Sequence, residues 1–291
     1  MKKSRIYLFN YLVFVAPLFF SYTLFFIIPI VFGLSYSLYD WNGLSVEKTF
    51  VGLDNYVKLF GDSNYWSSLS FTLRHAVLYV VFTNIFALLM ALWVNGNLRT
   101  ALFARVSFFL PNVLCAVIVG MLWRFIFNQS IPSLGKLTGI STLGTKLLAS
   151  QNTAWIAVLI VSLWTSCGYN MIIYIAGLVS IDRSYYESAA IDGAGSISSF
   201  FKITLPLMMP SITITLFNTT AGAFKMFDLN LSLTGGGPGR STTGMALDVY
   251  NTAFSERRMG YGQAKAIILL ILVVLIVFIQ MQFTRKKEVE M

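Results

Sequence analysis

The segment beginning at Glu187, ESAAIDGAGSISSFFKITLPLMMP, gathers the residues of this sequence best suited to a defined chemical task, and that task is docking. Glu187 stands among small residues, Ser188, Ala189 and Ala190, that let another protein's surface approach closely and find a charge. Ser184 and Glu187 are spaced as a capping box, which predicts a helix over Tyr185–Ile191. Gly193 and Gly195 break that helix, and Ile197, Phe200, Phe201 and Ile203 give an apolar side to a second one that ends at Pro206. Catalysis has much less to work with. The sole histidine, His75, has no paired carboxylates nearby in sequence and no nucleophile motif beside it, so it reads as structural. The glycine run LTGGGPGRST lacks the lysine that a phosphate cradle requires, and no other stretch matches that motif, so ATP has no site here. Cys115 and Cys167 fall in apolar segments and read as buried small hydrophobes, without a disulfide framework or metal cluster.

The elements that must position the docking segment are membrane spans. Hydrophobic residues make up 56% of the 291 and charged ones 11%, against roughly 25% charged in a soluble domain. The net charge of +9 is scattered singly, which excludes the gathered basic face of a nucleic-acid binder. Six segments have the roughly 20 apolar residues that a crossing needs: Phe9–Ser35, Phe71–Trp93, Ala104–Phe127, Ala154–Val179, Leu207–Leu231 and Ala264–Phe283. The first resembles a signal peptide in its MKKSR start, yet runs on without a cleavage site and reads as a retained span. Ten basic residues share one side: Lys2, Lys3, Arg5, Arg99, Arg105, Arg183, Lys202, Arg285, Lys286 and Lys287. The opposite side has seven in longer loops, so the positive-inside rule puts both termini and the Glu187 segment in the cytoplasm. Arg74, Arg124, Lys225 and Lys265 lie toward outer span ends and are expected to snorkel. Lys225 and Asp228, at i and i+3, are expected to pair on one helix face. The division expected is 1–70 for the first span and outer loop, 71–283 for the main membrane domain with an inner loop at 180–206, and 284–291 for a tail.

The segment resembles the EAA loop of binding-protein-dependent ABC importer permeases, whose pattern is E-A-A, three residues, G, nine residues, I, one residue, L-P. Glu187, Ala189, Gly193, Ile203, Leu205 and Pro206 stand at those spacings, and Ser188 replaces one alanine, small for small. FVGLDNYVKLFGDSNYW, IAGLVSIDRSYYESAAIDGAG and FDLNLSLTGGGPGRSTTG are similar to stretches of carbohydrate permeases of the maltose and glycerol-phosphate branch. The resemblance implies an all-α integral membrane protein of six transmembrane helices, the type I ABC importer permease (MetI-like) fold, in the cell membrane. Glu187, Ser188, Ala189, Asp192, Gly193, Ile203, Leu205 and Pro206 would form a coupling helix region seated on a cytoplasmic ATPase. The implied partners are a second homologous permease subunit, an ATPase dimer that binds the ATP, an extracytoplasmic solute-binding protein, a sugar and membrane lipid. An ion-coupled secondary carrier is the alternative; such carriers commonly place carboxylates at mid-membrane, where these spans have none.

Solute in such transporters is expected near the bilayer midplane, on helices flanking the coupling loop. Ser162, Thr165, Ser166 and Tyr169 share one face of the fourth span by their spacing, and Thr219, Gly222, Ala223 and Met226 share one face of the fifth. Aligned from the loop outward, these positions resemble those lining the sugar site of the maltose permease, with Tyr169 alone keeping the residue type. A tyrosine ring there can stack on a sugar face while its hydroxyl takes a hydrogen bond.

Overall fold

The computed structural model describes residues 2–96, 100–140 and 144–286, without the side chains of 2–10 and 12. Arg99 and Lys287, two of the expected inner-side charges, lie outside the described residues. The chain begins with α1 (Lys2–Tyr22), which runs through a π turn, Thr23–Ile27, into α2 (Ile28–Tyr36). A short hairpin, β1 (Tyr39–Asp40) antiparallel to β2 (Thr49–Phe50), precedes α3 (Asp54–Phe60). Next come α4 (Ser63–Val94), α5 (Ala101–Val113), α6 (Ala116–Phe125), α7 (Ile131–Thr138) and α8 (Gln151–Val179). The remainder comprises α9 (Arg183–Ile191), α10 (Ser196–Ser199), α11 (Leu205–Leu207), α12 (Met209–Phe224), α13 (Asp228–Leu233), α14 (Met245–Tyr250) and α15 (Met259–Arg285).

Among the described residues, four helical stretches are long and apolar enough to cross a membrane, and two bent helix pairs raise the number to six if each pair is one span. The bends are what hydropathy misses. Where one span over Ala104–Phe127 is expected, α5 and the helix from Ala116 to Thr138 meet at 97°. Leu114 and Cys115 between them are extended, with ψ of 140° and 130°, and Pro111 removes a backbone donor just before the break. Cys115 is therefore exposed at a corner and not a buried hydrophobe, while Cys167 is buried as expected. The fifth span ends early, because the backbone leaves the helix at Lys225 to Phe227 before α13 starts. That interruption destroys the i, i+3 geometry, and among the described residues Lys225 and Asp228 form no ion pair.

Two compact units emerge: Met1–Asp62 with Val249–Leu270, and Ser63–Asp248 with Ile271–Met291. By contacts within the chain, the segment Val249–Leu270 groups with the first unit. Inside that first unit Lys265 does not snorkel. Its side chain is 2% exposed, with Nζ 3.1 Å from Asp62 Oδ2 and donating to Thr252 Oγ1 at 3.0 Å. Tyr261 donates to the same carboxylate oxygen at 2.7 Å, and the lysine sits over its ring. Burial without such partners would leave an uncompensated charge, so position 265 is fixed by Asp62 and not by access to headgroups.

The second unit is built on α4 and α8. Buried positions on α4 recur every three or four residues from Tyr65 to Val94, the period of one helix face, while Val77, Val81, Ile85 and Leu89 are exposed on the rest. Two apolar clusters cap the ends of this pair. One joins Phe71 to Val158, Val161, Val119, Leu229 and Leu233, and the other joins Ala87, Ala91 and Val94 to Met171, Tyr174, Ile175 and Met208. Close approach depends on small residues: a Cβ added at Gly168 would overlap the carbonyl of Phe108, so α5 lies directly on α8. The glycine run after α13 is a self-bonded turn. Asn230 donates to the Thr242 carbonyl at 2.9 Å, and Arg240 pairs with Asp248.

Candidate functional site

The docking segment folds as two helices joined at a glycine corner. Gly193 has φ of +77°, a left-handed conformation that a β-branched residue rarely adopts, and it stands in open space. On one side lies α9; on the other, a continuous helix from Ser196 to Leu207 passes through a π turn at Phe200–Thr204 and then bends by 67° into α12. The expected capping box does not form. The cap of α9 is Asp182, whose carboxylate accepts from the Ser184 amide at 2.8 Å. Asp182 competes successfully because it stands at the residue with extended backbone, ψ 137°, where a cap's side chain can reach the N2 amide. That amide hydrogen bond holds the Asp182 carboxyl below its usual range.

Glu187 is consequently left without a hydrogen bond or ion pair among the described residues, and it is exposed. Apolar side chains share the exposed surface of this hairpin: Ile191 is 88% and Ile197 77% exposed, and Phe201 projects from the second helix. Ser188, Asp192 and Gly193 are exposed, Ala189 is half-buried, and Ile203, Leu205 and Pro206 are half-buried where the second helix returns to the body. A hydrogen bond between Tyr186 OH and Thr204 Oγ1, 2.9 Å, ties the two helices together. Ile181 and Met208 continue the attachment into the apolar cluster of Tyr174 and Met171, with Tyr186 packed against it.

Between the two apolar clusters, α4, α8 and α12 line an open cavity of about 150 Å³. Six of the eight residues expected at a solute site line it: Ser162, Thr165 and Ser166 from α8, Gly222 and Ala223 from α12, and Met226 just beyond. Tyr169 and Thr219 do not. Tyr169 is 39% exposed on the surface of α8. Thr219 is buried in a polar tier beside the cavity, where its hydroxyl accepts from Asn84 Nδ2 at 3.1 Å. In the same tier Tyr174 OH donates to Asn84 Oδ1 at 2.6 Å and accepts from Thr215 at 2.7 Å. Sequence reasoning missed the third wall, which α4 supplies through His75 and Tyr79. The signal for it was present in the i, i+4, i+8 spacing of Phe71, His75 and Tyr79, of which His75 alone was weighed, and as a structural residue. Among the described residues no group of three metal-ligating side chains occurs.

The comparisons with known proteins agree with this architecture. The family model described as "Binding-protein-dependent transport system inner membrane component" matches residues 83–289. The probable starch degradation products transport system permease protein of Thermoanaerobacterium thermosulfurigenes is 40% identical over 281 residues, 97% of this chain and 96% of that protein. The sn-glycerol-3-phosphate transport system permease protein of Yersinia pestis is 32% identical over 268 residues, 91% of this chain and 90% of that one. Among solved structures, a chain of a bacterial ABC transporter involved in import of the acidic polysaccharide alginate superposes with a TM-score of 0.82. It covers 98% of this chain and 99% of its own at 20% identity, a likeness of fold.

Proposed function

The chain belongs to the family of binding-protein-dependent transport system inner membrane components, and from that premise we propose that it is one membrane-spanning subunit of an ATP-driven importer for sugars. The importer contains a second permease subunit, a cytoplasmic ATPase dimer and an extracytoplasmic binding protein that delivers the solute. Both termini and the hairpin at Gly193 face the cytoplasm. The observation that carries this reading is Glu187: the helix it stands on is already capped by Asp182, and its carboxylate has no partner among the described residues. An exposed acid flanked by Ile191 and Ile197, on a hairpin fastened to the core through Tyr186 and Thr204, suits a cleft in another protein.

Coupling follows from linkage. ATP-driven closure of the ATPase moves the permease only through contacts that differ between its two states, and the hairpin offers such a contact. Because Thr204 and Met208 lie where the hairpin meets α12, displacement of the hairpin reaches the cavity wall at Ala223 and Met226 along one helix and its extension.

The test is reconstitution of all subunits in proteoliposomes, with the binding protein outside and ATP inside, and uptake of radiolabelled maltotriose as one probe. ATP-dependent uptake that requires the binding protein is expected. Uptake without ATP but driven by a proton or sodium gradient would replace the importer by an ion-coupled carrier. Orientation is read separately in a background lacking Cys115 and Cys167. A cysteine at Ser196 should resist an impermeant thiol reagent on intact cells, while one at Val46, 96% exposed on the opposite side of the proposed topology, should react.

A further inference from the structure

We propose that His75 is a solute-binding residue of the intramembrane cavity, and that this cavity takes an uncharged polyhydroxyl ring in preference to a phosphorylated or carboxylated one. The proposal rests on the importer reading above and asks what its site accepts.

Phe71, His75 and Tyr79 form a column on α4. The imidazole lies 5.9 Å from the Phe71 ring at 26° and 5.6 Å from the Tyr79 ring at 15°. With an aromatic ring stacked on each side, the imidazole has its edge left for polar contact, and the edge carries its two nitrogens. His75 is 4% exposed and lines the cavity, yet it makes no hydrogen bond or ion pair among the described residues. Neither imidazole nitrogen is among the fully buried atoms left without a partner, so the polar edge keeps accessible surface and a molecule in the cavity can supply its partner.

The remaining wall states what the occupant is. Ser162 donates its proton to the Val158 carbonyl at 2.8 Å, and Thr165 donates to the Ser162 carbonyl at 2.9 Å. Tyr79 donates to Ser166 Oγ at 2.6 Å. Three hydroxyl protons are thereby committed, and what these oxygens still offer the cavity is lone pairs. The free donors are the Ser166 hydroxyl and an imidazole N–H, and no lysine, arginine, aspartate or glutamate lines the space. A sugar hydroxyl both donates and accepts, so it suits a wall with more acceptors than donors. A phosphate or carboxylate group only accepts, and no fixed positive charge of a lysine or arginine lines the space to meet it.

The experiment uses the complete importer in proteoliposomes and offers two probes, maltotriose and sn-glycerol 3-phosphate, together with a wider set of neutral and acidic saccharides for its binding protein. The wild type is expected to import uncharged solutes alone. In His75→Phe, which keeps the ring column but removes the polar edge, sugar moved per ATP hydrolysed should fall about fivefold, the worth of one neutral hydrogen bond. Binding-protein-stimulated ATP hydrolysis and subunit assembly should persist, and His75→Gln should recover part of the loss. If the phenylalanine variant does not assemble, Ser166→Ala, which removes the other free donor, is read by the same ratio. An unchanged ratio in the assembled variant, no recovery in His75→Gln, or wild-type import confined to acidic solutes overturns the proposal. A wild-type assembly that moves no solute with ATP fails at the earlier reading instead.

Discussion

In the hairpin over Arg183–Leu207 the distinctive groups face outward: Glu187 has no partner among the described residues, and Ile191 and Ile197 stand in the open. In the cavity among α4, α8 and α12 the polar groups are turned inward, and Ser162 and Thr165 spend their protons on their own helix backbone. Under the importer reading proposed above, the difference follows from what each region recognises: a protein surface brings its own apolar area and charge to cover the hairpin, whereas a small solute is held by a few groups whose hydroxyls must also survive without it. In an apolar surrounding an unpartnered hydroxyl is expensive, and bonding to the i−3 or i−4 carbonyl solves that problem for Thr165 and Ser162 while leaving lone pairs for a guest.

The largest effects should come from the hairpin. Gly193→Val forces a β-branched residue toward φ of +77°, a strain of about 1–3 kcal/mol, and nothing touches the position that could compensate. ATP-driven uptake should fall by more than tenfold. Glu187→Ala tests charge alone, since it disturbs no hydrogen bond, and should lower uptake by about tenfold while the chain still reaches the membrane and assembles with its partner permease. Intact coupling in an assembled Glu187→Ala complex would reduce the carboxylate to a bystander and erase the contrast with Ser162 and Thr165, which are satisfied by their own helix.

Cavity variants should be selective where hairpin variants are general. Ala223→Leu adds apolar volume at a position 3% exposed and lining about 150 Å³. Overpacking of this kind typically destabilises by about 1–3 kcal/mol, so the chain should still assemble. Uptake of an oligosaccharide should drop severalfold, and binding-protein-stimulated ATP hydrolysis should remain. Tyr169→Ala sharpens the boundary of the site, because Tyr169 lies on the outer surface of α8 and not in the cavity. Its effect on uptake should stay within about twofold. A loss as large as that of Ala223→Leu would place the solute on the exposed face of α8, in a chamber completed by the second subunit.

Much of this was legible in one sequence, and the gaps have physical causes. The hairpin could be read because its residues are contiguous, and Gly193 is required by a backbone angle that the bend itself implies. The faces of the fourth and fifth spans could be read from helical period, which brought six of eight positions to one cavity. Period does not give depth, however, and Thr219 shares a face with Ala223 while belonging to the adjacent polar tier with Asn84. His75 reads as structural in the sequence because no carboxylate pair or nucleophile motif stands near it, and its place on the cavity wall without a hydrogen bond among the described residues comes only from the fold. Apolar composition also hid the breaks at Leu114–Cys115 and Lys225–Phe227, since hydropathy carries no backbone angles. Lys265 was misjudged because its partner, Asp62, is remote in sequence and no local rule connects them.

The smallest effect expected is at Asp182, and it separates cap from coupling. Its carboxylate accepts from the Ser184 amide, and that bond holds its pKa below the usual carboxylate range. A group whose folded pKa is depressed stabilises fully above its unfolded pKa, near 3.9, and loses that contribution as pH falls through the lower folded value. Between pH 7 and about 5 the cap is therefore constant, and the first turn of α9 should show no change in amide exchange once intrinsic rates are corrected. Below about pH 4 protection at Ser184 should begin to fade. Asp182→Asn keeps an acceptor oxygen without a titrating group, so its exchange should stay flat through the acid range. Asp182→Ala should fray the first turn at every pH, yet leave uptake at neutral pH near normal because Glu187 and Gly193 are untouched. Fraying that sets in between pH 7 and 5, or acid sensitivity that persists in Asp182→Asn, would show that another group governs this helix start. A severe uptake loss in Asp182→Ala would mean that the cap and the docking acid act as one unit, and the separation drawn from Glu187's lack of a partner would fail.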